Sequence, residues 1–193
     1  MSDEYADIFC GIKRNVKIAI SGKSGCGNTT VTTLTAERLG LRFINFTFRN
    51  LAAEKNMTLE EVLALAETDD YWDRTVDSRQ IEEALRYPEH GCVLGSRLAI
   101  WLLKDADIKV YLKADTDVRV RRLMRREGGS FEEVAAFTRE RDARDHARYA
   151  RLYNINNDDY SFADLIIDTG RCLPEEIAGK IIEKVKRLAA NER

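Results

Sequence analysis

The sequence predicts an α/β protein in which a five-stranded parallel β-sheet is flanked by helices. Two observations lead to this prediction. Five short, continuous apolar runs recur along the chain, with helical segments between them, and the first run leads directly into a glycine-rich loop. Continuous apolar strands that alternate with helices are typical of parallel sheets covered on both faces, which bind ligands at the carboxyl ends of the strands.

Length and composition fit one domain. The chain has 193 residues, of which 44% are hydrophobic and 33% charged, and its net charge is −2. This balance argues against a broad basic surface for nucleic acid. No apolar run approaches the roughly 20 residues of a membrane-spanning helix, and the first residues lack the apolar core of a signal peptide. We therefore expect a cytoplasmic monomer that binds neither nucleic acid nor membranes.

The cysteines do not predict a metal site. They lack CxxC spacing, and only two histidines, His90 and His146, accompany them. We expect no zinc site and reduced, mostly buried thiols. The cysteines are Cys10, Cys26, Cys92 and Cys172.

The first half of the chain predicts two strands and four helices. The run VKIAI (16–20) is a buried strand, and the helix after the glycines is stopped by Gly40. A second strand, LRFINF, precedes a helix over 48–55. Thr58 and Glu61 form a capping box for the next helix, and a longer helix over 70–86 ends near Pro88.

The second half predicts the other three strands. CVLGS (92–96) and IKVYLKA (108–114) are buried strands that each lead into a helix. Helices follow over 116–127 and, after a capping box of Ser130 and Glu133, over 131–151. ADLIIDT (163–169) is the fifth strand, and the last helix has Pro174 in its first turn.

The stretch ISGKSGCGNTT (20–30) nearly matches a phosphate-binding P-loop, G-x-x-x-x-G-K-[ST]. Gly22 and Gly27 have the required spacing and Thr29 supplies the hydroxyl that binds Mg²⁺, but Asn28 stands where the lysine belongs. Backbone binding of phosphate should persist without the lysine's charge. The alternative is a tight glycine turn without a ligand. Lys23 is expected to point to solvent, and Cys26 to act as a spacer.

Arginines could replace the missing charge. Ten arginines and no lysine occur between positions 119 and 151, which favours planar, bidentate contact with phosphate. Arg141, Asp145 and Arg148 lie on one helical face, an arrangement that suits a nucleotide. The alternative is a surface helix held by i,i+4 pairs such as Arg141 with Asp145. A second anion-binding lobe is indicated by Arg49, Arg74, Arg79 and Arg97.

Several motifs in order resemble the cytidylate kinases, in particular the short archaeal-type enzymes. They are the glycine loop ending in TT, FRNLA, DRTVDSRQ, VLGSRLAIWLL, RRLMRRE and RERDARD, and they extend from about Lys17 to the C-terminus. The resemblance implies a P-loop NTPase fold with a helical insertion that binds the nucleoside monophosphate, at about 47–88, and an arginine-rich lid at about 127–160. Residues 16–193 would form this single domain, and residues 1–15 an N-terminal extension.

The resemblance also implies an activity, the phosphorylation of CMP, and of dCMP, by ATP with Mg²⁺. The implied catalytic arginines are Arg126, Arg141 and Arg148. The implied ATP-binding residues are Gly22, Lys23, Ser24, Gly25, Cys26, Gly27, Asn28, Thr29, Thr30 and Arg122, with Thr29 also on the metal. The implied substrate-binding residues are Arg49, Arg74, Asp77, Arg97 and Asp145, with Arg74 and Asp77 as candidates for the cytosine.

Two departures from the family keep alternatives open. Bacterial-type cytidylate kinases have an aspartate directly after the arginine that matches Arg97, whereas this chain has Leu98. The third strand also ends in LGS, without a carboxylate that could hold Mg²⁺ through water. The alternatives are a kinase for another nucleoside monophosphate or small metabolite, or a non-catalytic nucleotide-binding module.

Overall fold

A computed structural model describes residues 15–191 of the chain, apart from the side chain of Asn191. Cys10 and nearly all of the expected N-terminal extension lie outside this range. The strands are β1 (Lys17–Gly22), β2 (Arg42–Ile44), β3 (Cys92–Gly95), β4 (Ile108–Lys113) and β5 (Leu165–Asp168). They form one five-stranded sheet in the order β2-β3-β1-β4-β5, and every pairing is parallel. The predicted fold class is therefore confirmed.

The helices cover both faces of this sheet. They are α1 (Asn28–Leu39), α2 (Phe48–Lys55), α3 (Leu59–Thr68), α4 (Tyr71–Leu85), α5 (Ala99–Leu102), α6 (Thr116–Glu127), α7 (Phe131–Tyr153) and α8 (Pro174–Asn191). Because side chains alternate along a strand, β1 contributes to two cores. Ile18 and Ile20 pack in the cluster that includes residues of α1 and α8, whereas Ala19 packs in the cluster with α5.

Local sequence explains where the helices begin. The two predicted capping boxes are confirmed: Glu61 N donates to Thr58 Oγ1 over 3.2 Å, and Glu133 N donates to Ser130 Oγ over 3.3 Å. In each box the glutamate carboxylate accepts a hydrogen bond from the backbone N–H of the cap residue. Pro174 is the first residue of α8, where its missing N–H costs nothing.

Two strands, the second and the fifth, are each three residues shorter than the sequence predicts, whereas the third and the fourth each end one residue early. The fifth was predicted over 163–169, but Ala163 N–H bonds the carbonyl of Tyr160 in a turn, and pairing with β4 begins only at Leu165. The second was predicted over 41–46, but β2 is paired only through Ile44. In both cases the segment predicted as a strand extends beyond the residues that pair with a neighbouring strand.

Two of the connections between consecutive strands contain more than one helix. Along the chain, α2, α3 and α4 connect β2 to β3, and α6 and α7 connect β4 to β5. Gly128 and Gly129, both with positive φ, separate α6 from α7. Within residues 15–191, no helix combines the length and apolar character needed to cross a membrane.

Candidate active site

The glycine loop, residues 22–28, lies at the carboxyl end of β1 and leads into α1. Gly25 has φ 84° and Gly27 has φ 91°, in the left-handed region that disfavours residues with a Cβ. The N-terminus of α1 has no side-chain cap and no acidic residue in its first turn. Its backbone N–H groups are therefore available to an anion, as a phosphate site requires.

Side chains hold the carbonyl groups of the glycine loop. Asn28 Nδ2 donates to Gly22 O over 2.9 Å, and Arg122 Nη1 donates to Gly25 O over 3.2 Å. Arg119 Nε donates to Ser24 O over 2.7 Å. The asparagine in the lysine position thus bonds to the loop itself.

Lys23 does not simply point to solvent, as its position in the sequence suggested. Its Nζ lies 2.7 Å from Asp158 Oδ1, and the same carboxylate contacts His146 of α7. This contact depends on the segment after α7, which local spacing around Lys23 does not reveal. Cys26 is buried, and burial raises the pKa of its thiol, which suits a spacer better than a nucleophile.

The residues near Thr29 fit a magnesium ion that is held mainly by a substrate. Thr29 is exposed in the first turn of α1, where its hydroxyl accepts a long hydrogen bond of 3.5 Å from Asn45 Nδ2. In the described part of the chain, no three His, Cys, Asp or Glu residues cluster in a way that could hold a metal. Mg²⁺ commonly keeps several waters and binds one or two protein groups plus substrate phosphates. A lone hydroxyl beside a phosphate loop meets that requirement.

Four charged residues form a continuous network between β3, α4 and α7. Arg97, which follows β3, hydrogen-bonds Asp145 of α7. Arg148 Nη2 donates to the other oxygen of Asp145 over 2.9 Å, and its Nε lies 3.3 Å from Asp73 Oδ1 on α4. Asp145 and Asp73 are only 7% and 4% exposed. Arg97, Asp145 and Arg148, which the resemblance assigned to the substrate, are therefore in direct contact with one another.

Part of this network lacks hydrogen-bond partners. Asp73 Oδ2 and Arg148 Nε are both buried, and neither makes a hydrogen bond within the described residues, although Arg148 Nε lies at ion-pair distance from Asp73 Oδ1. Burial raises the pKa of the Asp73 carboxyl, although the positive charge of Arg148 opposes this. A buried acceptor beside a buried donor could bind a ligand group that has both functions.

Asp77 lies one turn further along α4. Its carboxylate accepts a hydrogen bond of 2.8 Å from the hydroxyl of Tyr153, the last residue of α7. Burial raises the pKa of Asp77 to about 6, with the Tyr153 hydrogen bond acting in the opposite direction. Arg74 is exposed, donates to the carbonyl of Leu152 over 3.1 Å and lies over the Tyr153 ring.

The other predicted arginines differ in their surroundings. Arg141 is half-buried and has no ion pair among the described residues, so the i,i+4 pair with Asp145 that the alternative of a surface helix required is absent. Burial and the charge of Arg97 lower the pKa of Arg141 to about 10. An arginine in this position would gain from binding an anion. Arg49 is exposed in the first turn of α2, and Arg126 pairs with its neighbour Glu127 at the exposed end of α6.

The glycine loop and two members of the charged network line one small cleft. Gly22 and Lys23 of the loop line it together with Arg97 and Asp145. The residues that sequence reasoning missed are Asp73, Arg119, Asp142 and Tyr153. The sequence singled out Arg119 only as one of ten arginines. For the other three residues, the only signal is the side chain that each contacts in the structure.

Comparison with known proteins identifies the family. The family model described as the cytidylate kinase-like family matches residues 17–171. The chain belongs to the cytidylate kinase-like family. The cytidylate kinase 2 of Borreliella afzelii is 43% identical over 176 residues, which cover 89% of this chain and 97% of the relative. A cytidylate kinase of Archaeoglobus fulgidus is 38% identical over 182 residues, covering 92% of this chain and 100% of the relative.

A solved structure supports the fold of this cytidylate kinase-like chain. Shikimate kinase from Bacteroides thetaiotaomicron has a TM-score of 0.58 at 18% identity, covering 90% of this chain and 97% of that one. A likeness at this identity concerns the fold alone, that of a P-loop kinase. As a member of the cytidylate kinase-like family, the chain is an enzyme, and its activity is that of a kinase.

Proposed function

We propose that this enzyme transfers the γ-phosphoryl group of ATP to CMP, and also to dCMP, with Mg²⁺. The observation that carries the proposal is the small cleft in which the anion-ready glycine loop faces Arg97 and Asp145, the second of which also binds Arg148. Relatives named cytidylate kinases, similar over most of the chain, support CMP as the acceptor.

The glycine loop would bind the phosphates of ATP. Gly25, Gly27 and Asn28 would donate their backbone N–H groups, assisted by the partial positive charge at the N-terminus of α1. Thr29 would hold Mg²⁺, which would neutralise charge on the phosphates when bound. The remaining loop residues, Lys23, Ser24, Cys26 and Thr30, would complete the wall around the phosphates.

Arg122 would contact the nucleoside of ATP through a face of its guanidinium group. Its edge is held by Gly25 O and by the hydroxyl and carbonyl of Thr169, at 3.2, 2.8 and 2.6 Å. Hydrogen bonds along its edge fix the plane of the Arg122 guanidinium group and leave the faces of that plane available to stack on a base.

The acceptor phosphate would bind to Arg49, Arg97 and Arg148, and Asp145 would bind the sugar with Arg141. Arg97 and Arg148 share Asp145 as their partner in the ligand-free protein. A phosphate entering the cleft would take over part of their donors, because a doubly charged group pairs more strongly with guanidinium than one carboxylate oxygen does.

The reaction would need no general base. An oxygen of the CMP phosphate would attack the γ-phosphorus of ATP while the bond to the β–γ bridging oxygen breaks, giving CDP and ADP. Arg126, Arg141 and Arg148 would neutralise the charge that develops on the transferred group. Closure of α7 over the cleft would exclude water, which would otherwise accept the phosphoryl group.

Asp77 is the proposed reader of cytosine. Cytosine has an amine where uracil has a carbonyl, so an ionised carboxylate accepts a hydrogen bond from CMP and repels UMP. Asp77 shares α4 with Arg74, the second candidate for the base, and its contact with Tyr153 links it to the end of α7.

A coupled kinase assay tests this proposal. The panel contains CMP, dCMP, UMP, AMP and sugars, each with ATP and Mg²⁺. We expect kcat/KM to be highest for CMP and dCMP. Turnover of another acceptor alone would identify a different kinase. ATP binding without turnover of any acceptor would favour a non-catalytic module, which Asn28 and the absence of a carboxylate at the end of β3 also suggest.

A further inference from the structure

Arg119 of α6 lies directly beneath the glycine loop. It is only 4% exposed, and a Cβ added to Gly25 would lie 3.0 Å from the Arg119 carbonyl oxygen. The loop therefore rests on the backbone of α6 at this residue. The Arg119 side chain then reaches the loop itself, where Nε donates to Ser24 O over 2.7 Å.

The other two nitrogens of the Arg119 guanidinium bind α7. Nη1 and Nη2 donate to the two oxygens of Asp142 over 2.7 and 2.8 Å. Such a bidentate pair fixes both the plane and the direction of the guanidinium. Burial disfavours the charge on Arg119, but the hydrogen bonds and the negative charge of Asp142, together with smaller contributions from neighbouring groups, outweigh this and raise the pKa of the guanidinium. The pair thus keeps a buried cation in one orientation.

The bond to Ser24 O sets the direction of one phosphate-binding N–H group. In a trans peptide, the carbonyl of one residue and the N–H of the next point in opposite directions. The structure contains no cis peptide among residues 15–191. Holding Ser24 O toward Arg119 therefore turns the N–H of Gly25 toward the other side of the loop.

We propose that Arg119 is a positioning residue that aims the Gly25 N–H at the phosphates of ATP, and that Asp142 makes this aim depend on the position of α7. The proposal rests on the proposed function. It adds a link, Asp142–Arg119–Ser24, through which the lid helix would control the direction of a phosphate-binding N–H group.

Two variants test the link. Asp142→Asn removes the charge that orients the guanidinium but keeps the size of the side chain. Arg119→Lys retains a cation but cannot make three hydrogen bonds in fixed directions. Arg121→Lys is the matched control, because Arg121 is exposed on the same helix. Each variant is assayed for KM of ATP, KM of CMP, kcat and Tm.

We expect KM for ATP to rise about tenfold in Asp142→Asn and in Arg119→Lys, the order of one well-directed charge-assisted hydrogen bond. KM for CMP should stay within about twofold of the wild-type value. A variant that combines Asp142→Asn with Arg119→Lys should resemble the more affected single variant, because both substitutions act through one link. Arg121→Lys should leave all four quantities unchanged.

A purely structural role predicts a different result. Asp142→Asn would then lower Tm and leave KM for ATP unchanged, and this outcome, or an equal rise in both KM values, would overturn the proposal. Asp142→Asn decides the matter if Arg119→Lys does not fold. Failure of the proposed function is recognised separately, because the wild-type enzyme would then not phosphorylate CMP. Calorimetric Kd values for Mg-ATP would in that case still test the link.

Discussion

The pKa of one half-buried carboxyl, that of Asp77, would connect the proposed choice of substrate to pH. Burial raises it to about 6, so near neutral pH the group is ionised and can accept a hydrogen bond from an amine. Replacing Asp77 with alanine should reduce the preference for CMP over UMP by about 1–3 kcal/mol, the scale of a good polar contact to a base. The measurement is the ratio of kcat/KM values, and an unchanged ratio would remove Asp77 from this role.

The same pKa predicts how Asp77 affects stability. In the unfolded chain the pKa of an aspartate carboxyl is about 3.9. Between pH 4 and 6 the folded protein therefore binds more protons than the unfolded chain. The free energy of unfolding therefore falls as pH rises through this window, and the loss is complete above about pH 6. Asp77→Asn should stabilise the protein by up to about 3 kcal/mol at pH 8 and hardly at all at pH 4.

Denaturant unfolding at both pH values measures this difference. Asp105→Asn is a suitable control, because Asp105 is an exposed residue in a turn. A stabilisation of equal size at pH 4 and pH 8 would contradict a raised pKa at Asp77.

Asn28 and Arg148 should differ in their importance for activity. Asn28 makes one neutral hydrogen bond, to Gly22 O, and its loss should cost about 1 kcal/mol of ATP binding. Arg148 would act on a charged phosphate, and Arg148→Ala should lower kcat/KM by at least about 100-fold. Arg126→Ala should likewise cost more than Asn28→Ala. Steady-state kinetics would refute this order if Asn28→Ala were the most damaging change.

At the scale of the element, the N-cap residues stabilise the first turns of the helices. Ser130 accepts the hydrogen bond of Glu133 N at the start of α7, so Ser130→Ala should lower the free energy of unfolding by about 1 kcal/mol. Ser78→Ala, at an exposed position inside α4, is the control and should change it by less than about 0.5 kcal/mol. Equal effects in the two variants would argue against the cap.

Helices α4 and α7 also meet through polar contacts. Arg151 pairs with Asp70, Arg148 with Asp73, and Tyr153 with Asp77. Asp70 at the N-cap of α4 and Asp73 and Asp77 within it are spaced at i, i+3 and i+7, so they lie on one face of the helix. Such contacts can exchange for ligand contacts more readily than an apolar core can, which would suit the proposed closure of α7 over the cleft.

At the scale of the whole molecule, ligand binding should stabilise the fold. A ligand present at about 100 times its Kd adds about 2.7 kcal/mol. For a chain of this size, that corresponds to an increase in Tm of roughly 5–10 °C. We expect this from CMP, and a much smaller increase from cytidine, which lacks the phosphate that the arginines would bind. An equal shift from cytidine would contradict the role of the arginine cluster.

The sequence by itself determined the elements and the chemistry of the site. Apolar runs, positive-φ glycines and capping boxes act over a few residues, so the parallel sheet, the glycine loop and the helix starts could be predicted from local pattern. The arginine-rich segment predicts that an anion is bound, because ten arginines without a lysine favour bidentate contact with phosphate.

Only the tertiary structure decided which charges meet. Asp145 pairs with Arg97 and Arg148 and not with Arg141, which lies one turn before it on the same helix. Arg119 holds a carbonyl that is 95 residues away in the chain. The arginines all have the same charge and length. Which partner each one reaches therefore depends on how the packed helices orient its side chain. Local spacing shows which side chains share a face, but the packing of the elements selects their partners.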